Sequence, residues 1–122
     1  MPTPKGPILI VDDDAFVRTL LREMLADQGH PLREAENGQE ALDLEGPPPR
    51  VVLLDLLMPE MSGMEALALI RSRWPGTPVL VISSMDSDRL VNEALAAGAS
   101  GYITKPFHPV EIASAVERVL AA

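Results

Sequence analysis

The chain contains no cysteine, which excludes disulfides, thiolate metal sites and thiol nucleophiles. Histidine is almost as scarce: His30 and His108 each lie in a loop beside a proline, neither has a partner at ligand spacing, and neither is expected to be catalytic. Bases are outnumbered, with 10 lysines and arginines against 18 aspartates and glutamates, and the net charge of −8 gives DNA or an acidic membrane leaflet no long-range attraction. No stretch approaches the roughly 18 apolar residues needed to cross a bilayer. The start, Met1 to Pro7, lacks the apolar core of a signal peptide. A G-x-x-x-x-G-K-[ST] phosphate loop is also missing. The expectation is a soluble, cytoplasmic chain that binds neither nucleic acid nor membrane. Its 122 residues fit one domain, with 1–6 as a flexible lead and no room for an effector domain.

What is present is an alternation of short apolar runs with helical patterns, the signature of βαβ units around a parallel sheet. The runs predict strands at Ile8 to Val11, Leu32 to Ala35, Val51 to Leu54, Val79 to Ile82 and Gly101 to Ile103. Between and after them, helices are predicted over Ala15 to Gln28, Gly38 to Leu44, Met64 to Arg73, Ser87 to Ala97, and from Pro109 onward. Val17, Leu20, Leu21, Met24 and Leu25 share one face of the first helix, which Asp14 caps and Gly29 stops. Val110, Ala113, Val116 and Leu120 are the expected inward stripe of the last. Trp74 reads as a cover over the end of the third helix, and the six methionines as gap-fillers.

Three of the strands deliver charge to one edge of the sheet. Ile8 to Val11 empties into Asp12-Asp13-Asp14, Val51 to Leu54 into Asp55, and Tyr102-Ile103-Thr104 into Lys105-Pro106. Open α/β sheets place their chemistry at strand ends. Two carboxylates about 4 Å apart repel by roughly 4 kcal/mol at an effective dielectric near 20, so such a cluster calls for protons or a cation. An oxygen-only donor set suits Mg²⁺, which favours completion by a phosphate oxygen.

Capping accounts for Asp14; Asp12 and Asp13 precede the cap and read as ligands. Asp55 could be a solvated strand end, but it follows an uninterrupted buried run. A carboxylate held beside Mg²⁺ can attack phosphorus to give an acyl phosphate, and Asp55 is assigned that nucleophilic role. Ser83 ends the fourth strand at the same edge, although a serine there is also a common turn former. Lys105 reaches in to pair with Asp55 or a phosphoryl oxygen, where most lysines only solvate a surface. Tyr102 reads equally as plain core.

Four segments, Ile8 to Asp14, Asn37 to Leu42, Leu53 to Gly63 and Ala97 to Phe107, closely resemble the receiver domain of bacterial two-component response regulators, in that family's order. The resemblance implies a flavodoxin-like, doubly wound five-stranded parallel sheet, order 2-1-3-4-5, with five helices on both faces. It implies that Asp55 is the phosphorylated residue, Asp13 a direct Mg²⁺ ligand, Asp12 a ligand through water, and the Leu57 carbonyl a third protein ligand. It further implies that the Ser83 hydroxyl and Lys105 bond the phosphoryl group, that Ser83 and Tyr102 form the switch, and that a cis peptide precedes Pro106. Ser83 is serine where threonine is common, so it lacks a coupling methyl. Leu57 and Met85 are apolar where the family varies, which would restrict the water that hydrolyses the acyl phosphate.

The function so implied is a phosphorylation-operated switch, not a turnover enzyme, charged by a sensor histidine kinase or phosphotransfer protein. It would act on a downstream protein or through a phosphorylation-dependent dimer. Its output surface would be the fourth helix, fifth strand and last helix. The rivals are a degenerate receiver that only scaffolds, a haloacid dehalogenase-type phosphatase and a flavodoxin-like electron carrier. The intact acidic pair, acceptor and lysine oppose the first. Leu57, where that phosphatase needs an aspartate, opposes the second, and Asp12 and Asp13, which would repel a flavin phosphate, oppose the third.

Overall fold

A computed structural model describes residues 4–58 and 61–121. Pro59 and Glu60 of the third matching segment, and the first three residues of the expected lead, lie outside the described residues. Five strands form one parallel sheet: β1 (Ile8–Val11), β2 (Leu32–Ala35), β3 (Val51–Leu54), β4 (Val79–Ser83) and β5 (Gly101–Thr104). Their order is β2-β1-β3-β4-β5, as the resemblance implies. Every residue of β1, β3 and β4 is buried, which is why these runs read as continuously apolar rather than alternating.

Period-two alternation sends each strand's side chains to two cores. Leu9, Val11, Val52, Leu54, Val79 and Val81 pack against α2 (Gly38–Asp43), α3 (Gly63–Arg73) and α4 (Asp88–Ala96). Ile8, Ile10, Val51, Leu53, Leu80, Ile82 and Ile103 pack against α1 (Ala15–Leu25) and α5 (Pro109–Ala121). Truncating one of these fully buried leucines, Leu53 or Leu54, to alanine would cost about 2–5 kcal/mol.

The helix starts carry the caps their sequences advertise. Asp14 accepts from the Phe16 N–H, Asn37 from Glu40, Ser62 from Glu65 and Ser87 from Leu90. The first helix ends earlier than its pattern suggests: Ala26–Gln28 tighten into a 3₁₀ turn before Gly29, whose φ of 75° ends the segment. In α5 the expected stripe holds at Val116 and Leu120, which pack on the core, and fails at its start. Ile112, Ala115 and Val116 are the buried residues, and Val110 is 68% exposed because it lies in the first turn, off the i, i+3, i+4 line through Ile112. Trp74 does cover the end of α3 and is itself buried among Leu9, Ile70 and Val79. Far from the charged rim, Arg50 donates to the carbonyls of Lys5 and Gly6 and approaches His30 Nδ1 at 2.7 Å. Among the described residues, no helix is long and apolar enough to cross a membrane.

Candidate functional site

Parallel register decides which side chains meet. Val11 pairs with Leu54, so the next residues, Asp12 and Asp55, leave the sheet side by side. The Asp55 N–H still donates to the Val11 carbonyl at 3.0 Å, and the Asp12 N–H to Ala35 at 3.1 Å. The carboxylates then turn inward, 2% and 4% exposed respectively. Asp13, one residue into the loop, is exposed, yet the carboxylate oxygens of Asp12, Asp13 and Asp55 lie within 4.8 Å of one another.

Lys105 arrives from β5, across the end of β4. Its backbone N–H is fixed to the Ser83 carbonyl at 2.8 Å, and the peptide to Pro106 is cis. Its Nζ donates to Asp12 Oδ2 and to Asp55 Oδ2, both at 3.3 Å. Three carboxylates and one ammonium leave two negative charges in the pocket. That balance and the all-oxygen donor set fit a hard divalent cation such as Mg²⁺.

The remaining oxygens are also held. Asp12 Oδ1 accepts the Asp14 N–H at 2.9 Å, and Asp55 Oδ1 accepts the Leu57 N–H at 3.0 Å, folding the chain after β3 back over the acceptor. Burial pushes the Asp12 carboxyl above its ordinary range. The Asp14 N–H bond opposes this, the charge of Asp55 adds to it, and Lys105 offsets part. For Lys105, burial favours loss of the proton, but the charges of Asp12 and Asp55 and the bonds to them prevail, so its ammonium is held above its usual range.

Ser83 is fully buried at the end of β4, and its Oγ accepts the Met85 N–H at 3.1 Å. Tyr102, paired in register with Val81, lies half-buried against the α2–α4 core and donates its hydroxyl to the Met85 carbonyl. Leu57 and Met85 are partly exposed at 47% and 42%. The structure thus brings Asp12, Asp13, Asp55 and Lys105 together at the rim, with Ser83 at the end of β4. His30 is occupied by Arg50 and stands 3.7 Å from Glu117, and His108 is exposed.

Two further residues shape the backbone of this region. Gly63 begins α3 so close to Leu56 that a Cβ would sit 2.2 Å from the Leu56 Cα. Arg18 on α1 donates through Nη1 to the Asp12 carbonyl at 2.6 Å. A signal for Arg18 is present in the sequence: it sits three and seven residues before the buried Leu21 and Leu25, a charge on an otherwise apolar stripe.

Comparison with known proteins agrees with this geometry. Residues 8–117 match the model of the response regulator receiver domain. The chain is 38% identical over 116 residues to the chemotaxis protein CheY of Halobacterium salinarum, covering 94% of this chain and 97% of that one. It is 39% identical over 114 residues to the response regulator MprA of Mycolicibacterium vanbaalenii, 93% of this chain but 49% of that protein. Among solved structures, the BeF3-activated DrrB receiver domain superposes with a TM-score of 0.86 at 32% identity, covering 96% of this chain and 98% of that one.

Proposed function

The chain belongs to the response regulator receiver domain family, and from that premise we propose that it is a phosphorylation-operated switch whose acceptor is Asp55. The observation that carries the reading is the single ammonium of Lys105 bonded at 3.3 Å to both Asp12 and Asp55, with Asp13 alongside. Asp12, Asp13, Asp55 and the Leu57 carbonyl would hold Mg²⁺. When bound, the ion neutralises charge on the incoming phosphoryl oxygens.

Asp55 supplies an oxygen that attacks phosphorus. The phosphorus–nitrogen bond of a donor phosphohistidine breaks, the imidazole leaves, and an acyl phosphate forms on Asp55. Phosphoryl transfer asks mainly for alignment and charge stabilisation. Lys105 contributes an ammonium already directed at the acceptor. The Ser83 hydroxyl, free to donate while its oxygen accepts from Met85, can bond a phosphoryl oxygen.

The new charge then gives Ser83 and Lys105 something to hold. Moving a population from 1:99 to 99:1 takes about 5.5 kcal/mol, within reach of a few charge-assisted bonds at roughly 1.5–3 kcal/mol each. Ser83 ends β4 just before α4 and Tyr102 lies in β5, so the α4–β5–α5 face is where phosphorylation would alter binding of a downstream protein or of a second copy. The donor would be a sensor histidine kinase or a phosphotransfer protein.

Acetyl phosphate with Mg²⁺ should add one phosphate by intact mass, and Asp55→Asn should abolish the addition. An unsubstituted chain that stays unmodified would overturn the reading.

A further inference from the structure

Asp12 is the most constrained residue of the rim. Its N–H is bonded to Ala35, Oδ1 to the Asp14 N–H, Oδ2 to Lys105, and its carbonyl to Arg18. The carbonyl bond differs in kind from the rest. The β1 ladder ends at Val11, so the Asp12 carbonyl has turned out of the sheet, and a guanidinium from the helix that follows receives it.

Arg18 is fixed in turn. Its side chain is 11% exposed, and its Nε donates at 3.0 Å to Glu34 on β2. The other Glu34 oxygen accepts Nη2 and Nε of Arg22 at 2.7 and 2.9 Å. One planar fork therefore bridges the acidic loop and the neighbouring strand. A lysine could not span both in fixed geometry. Glu34, shared with Arg22, and Glu36, 4.0 Å from Arg18 Nη2, together offset the guanidinium charge, which would otherwise lie beside a pocket meant to attract cations.

We infer that Arg18 is a positioning residue for the acidic pocket: by pinning the Asp12 carbonyl it sets the peptide that aims Asp13, and Glu34 sets Arg18. Asp13 is where the effect would be felt. Its carboxylate is the exposed member of the cluster, so its placement depends on the backbone between Asp12 and Asp14. The inference rests on the proposed cation-dependent function and adds to it a support outside the ligand set.

Supports of metal ligands typically change affinity by about 10- to 100-fold when removed. The test is Mg²⁺ titration by calorimetry on the full chain, Arg18→Lys and Glu34→Gln, with Arg50→Lys as a control for loss of a half-buried, carbonyl-bonded guanidinium at the opposite end of the sheet. Arg18→Lys and Glu34→Gln should each bind Mg²⁺ about 10-fold more weakly. Arg50→Lys should lower the melting temperature without changing Mg²⁺ affinity. Labelling of Arg18→Lys by acetyl phosphate should be slow at low Mg²⁺ and recover at saturation, because the acceptor itself is intact. Should Arg18→Lys fail to fold, Glu34→Gln carries the test. Affinity unchanged in the folded variants, or lowered equally in Arg50→Lys, would overturn the inference alone. No Mg²⁺ uptake by the unsubstituted chain would overturn the proposed function with it.

Discussion

Ser83 and Tyr102 hold the two backbone polar groups of the same residue: the Met85 N–H donates to Ser83 Oγ at 3.1 Å, and the Met85 carbonyl accepts the Tyr102 hydroxyl. A hydroxyl drawn toward a phosphoryl group on Asp55 would act on Met85 directly. Fluoroberyllate, which mimics the acyl phosphate, should therefore move the Met85 amide resonance and the Tyr102 ring together. Tyr102→Phe removes one hydrogen bond, a stability change of about 1 kcal/mol, and should leave Asp55 labelling intact while reducing the response at α4. A fluoroberyllate complex with unmoved Met85 and Tyr102 signals would end the coupling argument.

Gly63 packs against the backbone of Leu56, in the segment that follows Asp55. Its N–H donates to the Leu56 carbonyl at 3.2 Å, and a Cβ would lie 2.5 Å from that oxygen. Because the clash is with backbone, a side chain cannot swing away to relieve it. Gly63→Ala should destabilise the chain by about 1–3 kcal/mol, as overpacking does, and should weaken Mg²⁺ binding by displacing the segment that presents Leu57. Chemical denaturation and calorimetry would read the two effects. Normal stability and affinity would show that the loop re-forms around the methyl.

The strands and the charged rim were legible because both follow from local pattern. Each fully buried strand is a short apolar run, and the residue after it must emerge at the sheet's edge, so Asp12, Asp55 and Lys105 could be placed there without coordinates. Capping was legible for Asp14 for the same reason. Val110 was not: an apolar residue in a first helical turn has the same composition whether it faces the sheet or solvent, and only the packing of Ile112 and Val116 fixes the rotation of α5. Arg18 was missed because it acts on the backbone of a residue in another segment, while Gly63 stood at the end of the third matching segment with no role assigned to it. The charge interrupting the α1 stripe was the one available hint.

Leu57 lies two residues after Asp55 and donates its N–H to Asp55 Oδ1, and Met85 lies two residues after Ser83 and donates its N–H to Ser83 Oγ. Both side chains are partly exposed, which suits residues that screen the pocket mouth from water. Replacing each by a polar residue, Leu57→Asn and Met85→Glu, should shorten the half-life of the acyl phosphate. A tenfold change would correspond to about 1.4 kcal/mol in the hydrolysis barrier. The decay of labelled protein after donor removal measures it, and an unchanged lifetime in both variants would remove the screening role.

Acid titration sets two carboxylates against each other. For Glu34, the hydrogen bond from Arg22 leads, burial opposes it, and the Arg18 bond and both arginine charges add to it, holding the folded-state carboxyl below 4.5. Its contribution is fully present above pH 4.5 and is lost as pH falls through that lower value. Asp12 has the opposite sign. Its folded-state carboxyl lies above 3.8, so its ionisation costs stability above that raised value, and the cost is relieved as pH falls through it toward 3.8. In the cation-free protein, Asp12→Asn should therefore raise the melting temperature at pH 7, while Glu34→Gln should lower it. For a domain of this size, about 1 kcal/mol corresponds to a shift of roughly 4 °C. Mg²⁺ should reverse the ranking, because a ligand that binds only the folded state stabilises the unsubstituted chain by mass action and Asp12→Asn has lost part of its site. Melting curves at pH 4 and pH 7, with and without millimolar Mg²⁺, separate the two carboxylates. An Asp12→Asn variant less stable than its parent without Mg²⁺ at pH 7 would mean that Lys105 and the Asp14 N–H outweigh burial and Asp55 at that position.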